Sequence, residues 1–292
     1  MTTVGALEIG GTHVAATAVE TSTWQLIAPV QRVSLDPAAS AAELLDGMGR
    51  CARSVQATDP ALTLRSWGVA MPGPFDYERG VAQFTGVGKF ESLHGIDVGA
   101  ALQQVLGGSR TSVAVRFGND ADAFALGEYL AGAARGTARF AALTLGSGIG
   151  SCFLADGRPI AAGPDVPPGG EAHLIRSDGV PLEDVVSRRA LRAAYRSATG
   201  VERDVKEIAE RARAGDAAAA LVLADYARGL GSALGPYLQR FRAESLVVGG
   251  SISGAWDLFD AAFRSTLADP ALAIAISENS ERSGLIGAAS FA

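Results

Sequence analysis

Three glycine turns and one Asn-Asp pair carry the chemistry this sequence offers. Gly10-Gly11-Thr12, Gly146-Ser147-Gly148 and Gly249-Gly250-Ser251 each follow an apolar, strand-like run. Glycine lets a backbone come close to an anion and aim several N–H groups at it, which is how phosphates are cradled. A single turn of this kind is equally well a hairpin needing φ > 0. Three at strand ends in one α/β chain favour a nucleotide held between lobes. The GxxxxGK[ST] loop and the GxGxxG fingerprint are both missing from the sequence, which weakens Walker-type and Rossmann readings. In FGNDADAFALGE, residues 117–128, Asn119 and Asp120 stand between a strand-like and a helix-like run. Asp120 there is either a helix cap or a base that holds a substrate hydroxyl and takes its proton. Glu8 is the odd residue of an apolar first strand, on the Val4 and Ala6 side by alternation. A buried carboxylate is costly, so a cation, hydroxyl or water solvates it, or that strand face opens into a cleft.

The elements that must position these residues alternate between strand and helix, the pattern of a layered α/β fold. Val4 to Ile9, His13 to Glu20 and Gln25 to Val33 read as strands, and 37–57 as an amphipathic helix. RSWGVAM reads as a strand entering a Pro-Gly-Pro loop, followed by a helix near 96–106, a strand at 113–117 and the helix after Asp120. LEIGGTHVAATAVE (7–20) and LTLGSGIGSCFLAD (143–156) overlay without a gap, which predicts two lobes that each open on a glycine-turned hairpin. Residues 183–241 read as largely helical, with starts at Asp204 and Asp216, a stop at Gly215, and a kink or end at Pro236. A strand and glycine turn at 244–256 and a closing helix in SGLIGAASFA complete the chain.

Bulk composition excludes several classes. With 292 residues and 48% hydrophobic content the chain can bury a large core in two domains. A net charge of −6 without a basic stripe argues against nucleic acid as a partner. Cys51 and Cys152 form no metal-type pair and read as reduced thiols of a cytoplasmic protein. The N-terminus lacks an export signal and no run reaches the length of a membrane span, so no membrane partner is expected.

Taken together, IGGTH, MPGPFD, FGNDADAFALGE, LGSGIG, PPGGEAH, PLEDVVSRRAL and LVVGGSIS resemble, in order and approximate spacing, the ROK family of sugar kinases and repressors. The resemblance implies an actin-like, ribonuclease H-like ATPase fold with ATP and sugar in a cleft between two lobes. These lobes are drawn as 1–117 plus 280–292 and 118–279, with hinges near 112–118 and 276–284. By the same likeness Asp120 is similar to the catalytic base, and Asn119, Glu171, His173, Glu183 and Gly73 to substrate contacts. Gly10, Gly11, Thr12, Gly146, Ser147, Gly148, Gly249 and Gly250 are the expected nucleotide-binding residues. Glu8 stands where the family usually has Asp, and is expected to meet Mg²⁺ through water.

Two departures from the family pattern matter. LIRSDGVPLED, which occupies the place of the family's cysteine-rich zinc loop, holds no cysteine, so a four-coordinate zinc cannot be assembled there and none is expected. GEAH is one residue shorter than the usual segment. The function expected is ATP-dependent phosphorylation of a free hexose at a terminal hydroxyl, glucose first, in a homodimer. A kinase for fructose, mannose, an N-acetylhexosamine or an amino sugar, and a catalytically silent sugar-binding regulator, are the alternatives. A repressor would need an N-terminal helix-turn-helix for which the first strand leaves no room.

Overall fold

The computed structural model describes residues 2–59, 61–107, 112–177 and 179–292. They form two compact units, one of Met1–Gly132 with Asn279–Ala292 and one of Ala133–Glu278.

In the first unit, β1 (Thr3–Ile9) and β2 (His13–Glu20) make an antiparallel hairpin. Where one strand was expected over 25–33 there are two, β3 (Gln25–Leu26) and β4 (Gln31–Ser34), both paired with β2. Pro29 falls between them and has no N–H to give a ladder. Helix α1 (Ala41–Thr58) starts four residues after Pro37, because Ser40 and Glu43 form a reciprocal capping box. Strand β5 (Ser66–Met71) joins β1 in parallel, and the two-residue strands β6 (Phe75–Asp76) and β7 (Val81–Ala82) form a ribbon beyond it. Helix α2 (Val98–Gly107) leads to β8 (Ala114–Asn119), parallel to β5, and β8 runs directly into α3 (Asp120–Ala131).

The second unit repeats the plan. Its hairpin is β9 (Arg139–Leu145) and β10 (Ile149–Ala155), edged by β11 (Arg158–Pro159). A ribbon of β12 (Arg176–Ser177) and β13 (Val180–Pro181) precedes α4 (Leu182–Val185), α5 (Arg188–Thr199), α6 (Val205–Arg213) and α7 (Ala217–Phe241). Asp204 and Asp216 are N-caps, and α7 continues through Pro236 to Phe241, so of the kink or end expected at that proline the helix does not take the end. Strand β14 (Ser245–Gly249), helix α8 (Trp256–Arg264) and strand β15 (Ala273–Ile276) complete the sheet, with β14 parallel to both β9 and β15. The last helix, α9 (Ser280–Ala289), belongs to the first unit.

Both sheets therefore pair an antiparallel hairpin with parallel strands, yet the gapless overlay of the two hairpins slips. Ile9 pairs with Val14 across four turn residues, whereas Leu145 pairs with Ile149 across three. The second turn is one residue tighter, so the repeat needs a gap there. Without it every side chain of the returning strand would be assigned to the wrong face.

Alternation along β1 builds two cores. Leu7 and Ile9 pack with Leu44, Met48 and Trp67, and Val4 and Ala6 pack with Leu285, Ala288 and Ala289 of α9. Helix α9 thus packs within the first compact unit, which spans Met1–Gly132 and Asn279–Ala292 where 1–117 plus 280–292 is the expected lobe. Helices α3 and α9 touch backbone to backbone: a Cβ on Gly127 would lie 1.8 Å from Ser283 O, and one on Gly287 would lie 1.7 Å from Ala123 O. Buried Glu128 accepts a hydrogen bond from Ser283 Oγ at 2.7 Å. Helix α3 is thus locked to the first unit, and the expected hinge at 112–118 lies largely within hydrogen-bonded β8. Cys51 and Cys152 are buried free thiols, and burial pushes Cys51 up to about 11. Among the described residues no helix is long and apolar enough to cross a membrane.

Candidate functional site

The first unit gathers Asn119, Asp120, Gly73 and Glu8 around the ends of β1, β5 and β8. Asn119, the last residue of β8, is the N-cap of α3: its Oδ1 accepts from Ala121 N at 2.8 Å and Asp122 N at 3.3 Å. Capping, the alternative reading of Asp120, therefore falls to its neighbour. Asp120 is the first helical residue, its Oδ1 accepting from Ala121 N at 2.9 Å, at the positive end of the helix. Asn119 Nδ2 donates to Tyr77 Oη at 3.1 Å, and Tyr77 Oη donates to Met71 O at 3.1 Å. Tyr77 stands beside Gly73, whose Cβ would lie 3.5 Å from that hydroxyl, and the Gly73–Pro74 peptide is cis. Sequence reasoning missed Tyr77, because nothing in its spacing announces a partner on β8.

Glu8 lies at the end of β1 against α9. Gly284 leaves the room for it: a Cβ there would meet Glu8 Cδ and Oε1 at 2.6 Å. Its Oε2 is buried without a hydrogen-bond partner. Burial first, then the charges of Glu281 and Asp120, hold Glu8 well above the ordinary carboxylate range. Glu281 itself takes Arg32 as a close ion-pair partner, with Arg32 Nε donating to Oε2 at 2.9 Å, and His13 Nε2 stands 3.8 Å away. Gly10, Gly11 and Thr12 form the β1–β2 turn, closed by Gly10 N donating to His13 O at 2.9 Å.

The second unit gathers the remaining candidates. Gly146, Ser147 and Gly148 form the β9–β10 turn, and Gly249 pairs with Thr144 just before it. Gly250 has φ +87°, and a Cβ there would lie 2.4 Å from Leu145 O, so the two turns pack backbone against backbone. Glu183, in the first turn of α4, reaches the same place: a Cβ on Gly148 would sit 2.1 Å from its Oε1. Glu171 and His173 lie on a pair of 3₁₀ turns, with His173 Nε2 3.6 Å from Glu171 Oε2. Buried Ser151 on β10 pins this segment, donating to Gly170 O at 2.8 Å and accepting from Ala172 N at 2.7 Å. It was not foreseen, because a strand serine gives no signal of which loop it will bind.

A model of the ROK family matches residues 4–292. The chain belongs to the ROK family. A glucokinase of Thermotoga maritima is 29% identical over 254 residues, 76% of this chain and 77% of that protein. A ROK hexokinase from Thermus thermophilus superposes with a TM-score of 0.81 at 25% identity, over 100% of this chain and 98% of that one. A ROK glucokinase from Streptomyces griseus, solved with glucose and AMPPNP, shares the fold at 22% identity and a TM-score of 0.79, covering 100% and 99% of the two chains. The fold is thus the actin-like, two-lobed ATPase fold of the ROK sugar kinases. Among the described residues no group of three or more His, Cys, Asp or Glu can hold a metal ion, and Asp178 of the cysteine-free LIRSDGVPLED stretch lies outside them.

Proposed function

We propose that this ROK-family sugar kinase transfers the terminal phosphoryl group of ATP to a free hexose, glucose first, with Asp120 as the base. Family membership over 4–292 supports the kinase class, and a glucokinase relative supports glucose. The observation that carries the role of Asp120 is that Asn119, not Asp120, caps α3.

Phosphoryl transfer leaves little covalent work to the protein, so alignment and charge supply most of the rate. Asp120 holds the acceptor hydroxyl and takes its proton at one carboxylate oxygen, a contribution typically of about 10²–10⁴-fold. Asn119 keeps an amide N–H for a sugar hydroxyl while Tyr77 Oη fixes its orientation. Glu171, His173 and Glu183 present further acceptors and donors to the sugar, and a wrong epimer would leave some unmatched. The glycine turns present backbone N–H groups to the donor phosphates. A divalent ion, Mg²⁺ here, neutralises phosphate charge when bound. Glu8, with an orphaned buried oxygen and two carboxylate neighbours, is the residue suited to meet its water shell.

Coupled measurement of ADP release over a panel of hexoses tests the reading, with glucose expected to be the best acceptor. Asp120→Asn should cut kcat by about 10²–10⁴-fold while calorimetry shows sugar affinity retained. Normal turnover by that variant would remove Asp120 from the role.

A further inference from the structure

The C-terminal end of α7 and the segment between α8 and β15 form a cavity of about 200 Å³ in the second unit. That is below the roughly 300–1,000 Å³ of pockets for drug-sized ligands, so it suits a small molecule. Leu238, Leu267 and Leu272 give it an apolar lining, and Gln239, Arg242 and Asp269 a polar one. It shares no residue with the glycine turns or with Glu171, His173 and Glu183.

The polar residues keep capacity for a ligand. Among the described residues the side chains of Gln239 and Arg242 meet no hydrogen-bond or ion-pair partner, and Arg242 does not pair with Asp269 although both line the cavity. Asp269 Oδ1 accepts from Ala271 N at 2.9 Å, which leaves Oδ2 for another donor. Arg242 also stands where a side chain is costly. It ends α7 in the left-handed region, at φ +55° and ψ +49°, a position that favours glycine. A strained residue whose side chain binds nothing in its own chain points to a bound group. The opposite wall is preformed, because Arg264 Nη1 donates to Pro270 O and Leu272 O, both at 2.8 Å. A preformed wall spares the cost of ordering it on binding.

The chemistry of the lining selects the ligand. A guanidinium matches a carboxylate. A carboxylate with an unused oxygen, beside the negative end of a helix, matches an ammonium. Three leucines match a branched aliphatic chain. A sugar would set its hydroxyls against the leucines, and the lining holds no aromatic ring for a nucleotide base.

We propose that this cavity binds an aliphatic α-amino acid as its zwitterion. The carboxylate meets Arg242 and the Gln239 amide, the ammonium meets Asp269, and the side chain lies among the three leucines. The site does not depend on the kinase reading.

The full chain is titrated calorimetrically with L-leucine, with 4-methylpentanoate, which lacks the ammonium, and with isoamylamine, which lacks the carboxylate. Wild type should bind leucine saturably, with Kd on the order of 1 mM or tighter, and each truncated probe about 10-fold more weakly or worse, the loss of a hydrogen bond to a charged group. Two variants remove one charge each. Arg242→Gly supplies the residue its backbone favours, so its thermal midpoint should equal or exceed that of wild type. Asp269→Asn keeps an acceptor for Ala271 N. Each should weaken leucine by about 10-fold or more, and leucine should raise the thermal midpoint of wild type but of neither variant. No saturable leucine binding to wild type up to roughly 20 mM overturns the proposal. Leucine binding unchanged in both variants overturns the assignment of the cavity, and 4-methylpentanoate binding as tightly as leucine overturns the amino-acid class.

Discussion

Gly148→Ala isolates the contact between the Gly146–Gly148 turn, proposed for the donor phosphates, and the Glu183 carboxylate, proposed for the sugar. The added Cβ would stand 2.1 Å from Glu183 Oε1 and 3.1 Å from its Cδ. Gly148 has no left-handed backbone to strain, and the atom in the way is the far end of a flexible side chain. The protein should therefore fold normally, with the carboxylate displaced by roughly 1 Å to regain van der Waals distance. A displacement of that size in a positioning group costs up to about 10²-fold. The expected result is a 10–100-fold fall in kcat/KM for the hexose, read in a coupled assay, with the thermal midpoint nearly unchanged. Glu183→Gln alone should give a similar loss, and the double variant should be no worse than Glu183→Gln, because both changes act through one contact. Hexose kinetics equal to wild type, or a loss confined to the KM for ATP, would refute the reasoning.

Other substitutions separate fold from site. Gly250→Ala puts a Cβ 2.4 Å from Leu145 O at φ +87°, so a loss of about 3 kcal/mol or more is expected in denaturant unfolding. Ser151→Ala orphans Gly170 O and Ala172 N, costing about 1–3 kcal/mol, and should raise the hexose KM through Glu171 and His173. Glu8→Gln tests the buried carboxylate. Burial, Glu281 and Asp120 raise its pKa in the folded state, so the fold binds that proton more tightly than the unfolded chain. Stability then falls as pH rises from the ordinary carboxylate value, about 4.3, toward the raised one. In metal-free buffer Glu8→Gln should melt above wild type at neutral pH, with the gap closing in acid, and should bind nucleotide with Mg²⁺ more weakly.

The sequence by itself determined the order of elements, the glycine turns and the chemistry-bearing residues, since these follow from period, turn chemistry and side-chain type over short spans. It also contained the capping signals of α1, α6 and α7, which are local pairs such as Ser40 with Glu43. It left Asp120 divided between cap and base, and local geometry at Asn119 settled the capping. Only the tertiary structure decided where α3 belongs, because the Gly127 and Gly287 contacts join helices more than 140 residues apart. The same holds for Tyr77 on Asn119, Ser151 under Ala172 and Glu183 over Gly148. Each is a long-range approach fixed by how sheets and helices stack, and no local pattern encodes which distant atom will occupy the space a missing Cβ leaves.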